Sequence, residues 1–506
     1  MGVVIKQSIK GTIVTYIGVA IGAFTTLVIL TRFFTTEEVG LTRVLIEAAT
    51  LLSSLAQLGT SSSILRFYPF FKDSEKKDNG FFFWTVIIPL VGFMIFGLTY
   101  IILRTPITNY FSEKSQLFNN YFYFIVPLAF CLMYMTVFET NANVLMRIVV
   151  PKFVREILVR ILSLAVYLLF AFKIISIDGM VISLCLVYAV AMLIDLGYLL
   201  SLGKISLKPD FKFITKSLRH DYTMYTIMLV IASIATVITP FLNTFFITAK
   251  MGLSSTGIYA IAVFIATLVE IPYRSLGAIS QPLISQSVKD GNIAETNKLC
   301  QNVSLHQLLA GCFIFFIIWI NIDVLFDILP NGDIYKTGKM AVLILGFAKL
   351  VYSTMNIGIT TLNFSKYYYF SFIFTTIMTI SAILLNIRLI PVYGINGAAM
   401  ATLLSYVIYY ILMILFDRLK LKVSLFSAGH LKTLVIVAVM IIFNMLWTYL
   451  ISNKILTSSA SIWTVLADAV VKTIIIVSTG LFILYRWKVS DSVNNILNKI
   501  LRINRQ

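Results

Sequence analysis

About 14 apolar runs of roughly 20 residues follow one another along this 506-residue chain, each long enough at 1.5 Å per residue to cross a hydrocarbon core of about 30 Å. They cover residues 11–31, 40–63, 81–103, 120–143, 154–175, 180–202, 222–248, 256–279, 303–325, 340–362, 367–390, 395–416, 432–452 and 461–485. Only 12% of the residues are charged, where a soluble domain carries about 25%. The chain therefore reads as all-α and polytopic. No connection is long enough to fold as a separate soluble domain, which confines any chemistry to the membrane and its edges.

One stretch occurs twice. TRFFTTEEVGLTRVLIE at 31–47 joins the first two runs, and TAKMGLSSTGIYAIAVF at 248–264 joins the seventh to the eighth, so that Thr31 falls on Thr248 and Gly40 on Gly257. Each copy reads as a helix, a short turn and a second helix starting at a Gly, with Arg32 closing the helix before the first turn. A repeat of this kind is how transporters place a pathway between two halves. The expected organisation is two pseudo-symmetric lobes, 1–210 with spans one to six and 211–425 with spans seven to twelve. Two further spans and an amphipathic tail occupy 426–506.

Basic residues orient the bundle. With the N-terminus inside, about 26 of the 40 Lys and Arg fall in cytoplasmic segments and about 10 outside, which predicts an N-in, C-in topology. The inside clusters are Lys72/Lys76/Lys77, Arg147/Lys152/Arg155, Lys204/Lys208/Lys212/Lys216/Arg219 and Arg418/Lys420/Lys422. Much of the +18 net charge is then topology and contact with anionic headgroups, and nucleic-acid binding is not expected. The first run is too long for a secretory h-region and no small-residue cleavage site follows it, so it counts as a span. Four unpaired cysteines and three separated histidines (His220, His306, His430) support neither a disulfide framework nor a metal site, and no cofactor is expected.

Charges inside the spans are costly and so informative: at least about 2.5 kcal/mol each unless they face protein or water. Thr35 and Glu38 form the pattern of a capping box that starts the second helix. Arg43 and Glu47 follow one turn apart, about 5 and 10 Å into that span; a local ion pair and the wall of a hydrated cavity both fit them. Arg160 lies about 9 Å inside span five, where it either snorkels to the interface or offers a cation to an anionic headgroup. Glu270 and Arg274 repeat the i, i+4 spacing in span eight. Lys349 sits about 14 Å from the outer end of span ten, near the midplane; it is either a functional cation or one half of a pair with an acid on another helix. Asp468 and Lys472 in span fourteen are spaced to neutralise each other. After Tyr485, a cap at Ser490/Asp491 followed by Val493, Ile496, Leu497 and Ile500, then Lys499, Arg502 and Arg505, predicts a short interfacial helix.

TRFFTTEEVGL together with QLGTSSSILRF (57–67) resembles the opening of the polysaccharide biosynthesis and oligosaccharide flippase family, within the multidrug, oligosaccharidyl-lipid and polysaccharide exporter superfamily. LIPVYGINGAAMATLLSY (389–406) is similar to that family's turn between spans eleven and twelve, where Pro391 would end one helix and Gly394 and Gly397 permit a tight connection. The resemblance implies a flippase of the bacterial cytoplasmic membrane that moves a polyprenyl-linked oligosaccharide by alternating access, with spans one, two, seven and eight lining the cleft. Membrane lipids and glycan-assembly enzymes are the further partners it implies. Candidate substrate contacts are Arg43, Arg160, Arg274 and Lys349, with Glu47 and Glu270 setting their charge; Arg32, Gly40 and Gly257 belong to the hinge.

Two alternatives stand beside it. A cation-coupled multidrug exporter would favour an acid inside span one or seven, and neither has one. A membrane-embedded glycan polymerase or ligase would need a sizeable outer loop with a catalytic constellation, and the outer loops are short and lack His. An enzymatic role is accordingly not expected.

Overall fold

The computed structural model describes residues 2–73, 78–112, 114–203, 208, 210–211, 213–452 and 462–500. Lys76, Lys77, Lys204, Lys212, Arg502 and Arg505 of the expected cytoplasmic face lie outside the described residues, as do the side chains of Ile496, Leu497, Lys499 and Ile500.

All regular structure among the described residues is helical. The principal helices of the first part are α1 (Gly2–Phe24, running on through a wide turn at Thr25–Leu30), α2 (Thr36–Ala56), α3 (Thr60–Phe71), α4 (Phe81–Ile102), α5 (Ile125–Val144), α6 (Val159–Ala171) and α7 (Ile177–Ser201). There follow α8 (Lys216–Ile238), α9 (Leu242–Met251), α10 (Leu253–Thr267), α11 (Ile271–Lys289), α12 (Ile293–Ile320), α13 (Lys339–Phe364), α14 (Tyr369–Phe416), α15 (Ala428–Trp447), α16 (Ile462–Arg486) and α17 (Asp491–Ile500). Twelve helices among the described residues are long and apolar enough to cross a membrane. One of these, Tyr369–Leu421, is broken at Gly394 (φ 58°, ψ −135°) and so reads as two. The continuous helix through 149–171 adds another, its apolar character diluted by Arg155, Glu156 and Arg160. The bundle thus has about fourteen spans.

The break at Gly394 corrects one expectation. Pro391 lies inside the helix, where its missing N–H costs one backbone hydrogen bond, and the chain turns three residues later at a conformation that favours glycine.

The chain divides into two compact units. The first comprises Met1–Ile261 with Asn386–Ile395, and the second Ala262–Leu385 with Asn396–Gln506, the division falling within α10. In the first unit a core of Phe67, Phe82, Met133, Val137, Phe138 and Leu199 is buried where α3, α4, α5 and α7 meet. In the second, Ile357, Leu362, Tyr410, Met413, Val423 and Leu425 form the corresponding core. Within a bilayer such contacts win little from leaving water, because lipid tails are as apolar as leucine; close packing and hydrogen bonds between helices hold them together.

The repeat seen in the sequence returns as geometry inside the first unit. Thr31 and Thr248 are both fully buried, and each hydroxyl bonds back to a carbonyl four residues earlier, to Leu27 at 2.7 Å and Thr244 at 2.6 Å. The two helices that follow begin at Thr36 and Leu253, four residues before Gly40 and Gly257 respectively. The glycines therefore do not start the helices. They lie one turn in, where the helices cross: a Cβ on Gly40 would overlap the carbonyl oxygen of Leu253, and one on Gly257 would overlap that of Thr36. Thr36 and Ser254 join hydroxyls across the crossing at 2.7 Å. Two backbones can come this close only without side chains between them.

The predicted capping box is present. Thr35 is extended (φ −70°, ψ 155°), its hydroxyl accepts from the Glu38 N–H at 3.2 Å, and the Glu38 carboxylate accepts from the Thr35 N–H at 2.8 Å. Thr35→Ala should cost about 1 kcal/mol of stability and Thr35→Ser almost nothing. Thermal unfolding of the two purified variants checks this, and equal losses would show that the cap contributes nothing. The tail helix α17 also begins where expected, with the Ser490 hydroxyl accepting from the Val493 N–H at 3.4 Å.

Candidate functional site

Helix α10 ends in a tight turn at Leu268–Glu270, and α11 begins with Pro272 in its first turn, a position where the absent N–H costs nothing. This junction holds Glu270 buried at 6% exposure. Its Oε1 lies 2.7 Å from the Lys349 ammonium on α13, while Arg274, one turn along, reaches the other oxygen only at 3.8 Å. The sequence spacing predicted a Glu270/Arg274 pair; the closer partner comes from a different helix. Of the two roles open to Lys349, pairing with an acid elsewhere is the one observed, and it leaves Arg274 with 61% of its side chain exposed.

Tyrosines surround this cluster. Lys349, Tyr352 and Asn356 stand at i, i+3 and i+7 on one face of α13. The Tyr273 hydroxyl donates to Asn356 Oδ1 at 2.6 Å. The ring of Tyr273 meets Tyr352 edge-on at 5.6 Å, and Tyr352 packs at 5.5 Å against Tyr406 of α14. The Lys349 Nζ sits 5.9 Å from the Tyr352 ring centre, close enough for a cation–π contact. Two cations share one carboxylate here, so the cluster carries one uncompensated positive charge beside polar aromatic surfaces. None of these tyrosines, nor Asn356, was singled out by the sequence; their one signal is the helical spacing from Lys349 and the adjacency of Tyr273 to Arg274.

The other predicted residues form two separate pairs in the first unit. Arg43 and Glu47 are joined in an ion pair on α2, with Glu47 almost wholly buried and Arg43 half-exposed. Arg160 is more fully engaged than snorkelling implies. Its guanidinium donates to Glu156 Oε2 at 2.8 Å and to the Gly18 carbonyl of α1 at 2.7 Å, in space that Gly22 leaves open. No hydrogen bond or ion pair links Arg43 to Arg160 among the described residues. Arg32 stays exposed in the last turn before the hinge, 5.5 Å from the Phe33 ring centre.

Asp468 and Lys472 do not pair as predicted. The carboxylate accepts from Trp447 Nε1 at 3.0 Å and Ser452 at 2.8 Å, whereas Lys472 donates to the Ile320 carbonyl at 3.0 Å. Nearby, α12, α15 and α16 line a mostly apolar cavity of about 70 Å³ formed by Leu309, Phe316, Ile436, Met440 and Leu481, with Thr433 at its wall. His306 and His430 are each tied to a serine, Ser490 and Ser304. Asp323 accepts from Lys339 at 2.6 Å, and in the connection between the spans Asp327 accepts from Lys336 at 2.8 Å. The second bond, together with the neighbouring acids, holds the Lys336 ammonium above its ordinary range.

Comparison with known proteins places these features among relatives. The family model described as polysaccharide biosynthesis protein matches residues 7–288, more than half of the chain. No curated protein matches the sequence. Among solved structures, the chain is similar to the lipid II flippase MurJ in an inward closed conformation, with a TM-score of 0.72 and 15% identity over 95% of this chain and 100% of that one. It is also similar to an inward-facing multidrug resistance MATE family transporter of the MOP superfamily, at TM-score 0.60 and 14% identity over 81% of this chain and 94% of that one. At such identities the likeness carries the fold.

Proposed function

Since the chain belongs to the polysaccharide biosynthesis protein family, we propose that it is a flippase that carries a lipid-linked oligosaccharide across the bacterial cytoplasmic membrane by alternating access. The requirement is physical. A pyrophosphate and a row of sugar hydroxyls cannot cross about 30 Å of hydrocarbon unaided, so protein must accompany the head while the polyprenyl tail stays in lipid.

The observation that carries this reading is the Glu270–Lys349–Arg274 cluster with its uncompensated positive charge and half-free guanidinium. An arginine fork suits a phosphate, and tyrosine rings suit a glycan. The shared fold also admits a multidrug exporter, but a net-positive site repels the cationic drugs such a protein would expel and attracts an anionic headgroup. Arg43 with Glu47, and Arg160, are further contacts along the path, and the Gly40–Gly257 crossing is the hinge. The basic inner segments face the cytoplasm, where glycan-assembly enzymes would dock, and the lobes are 1–210 and 211–425 with 426–506 appended.

Deleting the gene in its host and following lipid-linked oligosaccharide on each leaflet tests this. Completed units should accumulate on the inner leaflet while surface polymer is lost. Normal surface glycan without inner-leaflet build-up, in a strain lacking a second copy, would overturn the proposal.

A further inference from the structure

Within the first unit, the ends of α3, α4 and α8 that the basic residues assign to the cytoplasm border a cleft of about 470 Å³. Phe81, Trp84 and Ile88 line it from one face of α4, at i, i+3 and i+7, and Leu218, Arg219, Tyr222 and Thr223 from one face of α8. Phe71, the last residue of α3, closes one side, and Phe211 and Ile214 of the segment leading into α8 close another. Closely packed interiors leave few spaces larger than a water molecule. A volume within about 300–1,000 Å³, walled by aromatic side chains with a few polar groups, is what a ligand site offers.

Most of the polar groups here are already engaged. The Thr223 hydroxyl donates to the Arg219 carbonyl at 2.8 Å, and the Tyr222 hydroxyl bonds to Ser63. Two donors stay open. Among the described residues the shielded Trp84 Nε1–H has no hydrogen-bond partner, and no hydrogen bond or ion pair holds the exposed Arg219 guanidinium. Both stand in the first turn of their helices, whereas Ile88 lies a further turn along α4. Acids at this end have their own donors: Asp78 accepts from the Tyr68 hydroxyl at 3.2 Å and the Asp73 N–H at 3.1 Å, and Asp210 from the Phe213 N–H at 3.2 Å. In the sequence, 203–221 sets Lys204, Lys208, Lys212, Lys216 and Arg219 against Asp210 and Asp221, a balance that attracts anionic lipid to a membrane surface.

We propose that this cleft binds one anionic phospholipid of the inner leaflet. Its phosphodiester meets the Arg219 guanidinium and the Trp84 N–H, and an acyl chain lies along Phe71, Phe81, Ile88 and Leu218. A guanidinium makes a charge-assisted bond to phosphate, and an indole is at home at headgroup level. The apolar wall suits a chain and not a sugar, whose hydroxyls would find no partners there. The lipid also braces the segment between α7 and α8. Phe211 stands edge-on to Trp84 at 5.8 Å and Phe213 packs on Phe71 at 5.1 Å, so a lipid against these rings ties that segment to α3 and α4. The site is independent of the flippase reading.

Native mass spectrometry of the purified, delipidated full chain tests it, with dioleoylphosphatidylglycerol and the zwitterionic dioleoylphosphatidylcholine as probes. One phosphatidylglycerol should stay bound under conditions that strip phosphatidylcholine. Arg219→Gln should weaken its binding about tenfold, the scale of one lost bond to a charged group, and Trp84→Phe by a smaller factor, since the ring remains. Arg418→Gln, in a basic cluster of the second unit, should bind as the wild type does. Arg219 and Arg418 are both exposed, so neither variant should disturb folding. Equal retention of the two lipids would overturn the proposal, as would undiminished binding in Arg219→Gln. Equal losses in Arg219→Gln and Arg418→Gln would overturn it too, because surface charge alone would then attract the lipid. The assay needs no transported substrate, so its failure would leave the flippase reading standing, and failure of the leaflet assay would leave the lipid site standing.

Discussion

Gly40→Ala should reduce both thermal stability and transport sharply, although it adds a single methyl group. That methyl would overlap the Leu253 carbonyl oxygen, a backbone atom that cannot rotate aside, so the helices must separate or tilt. Overpacking of this sort costs about 1–3 kcal/mol and sometimes more, and separating the helices also stretches the 2.7 Å bond between Thr36 and Ser254. Gly257→Ala should do the same by meeting the Thr36 carbonyl. The double variant should cost clearly less than the sum, because a crossing opened for one methyl has room for the second; residues in contact couple by about 0.5–3 kcal/mol. Unfolding midpoints in detergent and leaflet-resolved transport for the four members of the cycle would decide it. Additive losses would mean that the two glycines do not share one contact.

Removing Lys349 should have the other large effect. In Lys349→Ala the buried Glu270 keeps only Arg274, 3.8 Å away and mostly solvent-facing. Breaking a buried pair from one side costs about 3–5 kcal/mol; the remaining arginine and the 19% exposure of Lys349 place the expected loss at or below the lower end of that range. Replacing both partners, as Glu270→Gln with Lys349→Met, should recover most of the stability, since neither charge is then left alone. Transport should not recover with it. That split separates a lysine that holds the protein together from one that also meets the substrate. A double variant that is stable and exports glycan at the wild-type rate would remove Lys349 from the substrate path.

Local patterns carried the sequence reading a long way. The spans were visible because length and hydropathy alone define them, and the Thr35–Glu38 cap because its partners sit three residues apart. The repeat was visible because both copies keep a threonine and a glycine at matching places. What failed was pairing across helices. Glu270 and Arg274, like Asp468 and Lys472, have the spacing of an ion pair, yet Glu270 turns to a lysine 79 positions away (Glu270 to Lys349) and Lys472 to a carbonyl of α12. Spacing shows which residues share a helix face and nothing of what the next helix presents there.

The glycine crossing also bears on how such a chain could have arisen. Gly40 meets the carbonyl of Leu253 and Gly257 meets that of Thr36, and the two contacts exchange when residue numbers move by the 217 positions that separate Thr31 from Thr248. A contact that maps onto itself in this way is isologous, the kind found at the two-fold axis of a homodimer. An ancestral half-length chain bearing one copy of the motif would have met a second molecule of itself through this surface. Duplication and fusion of its gene would then have needed no new interface at this point, only a linker.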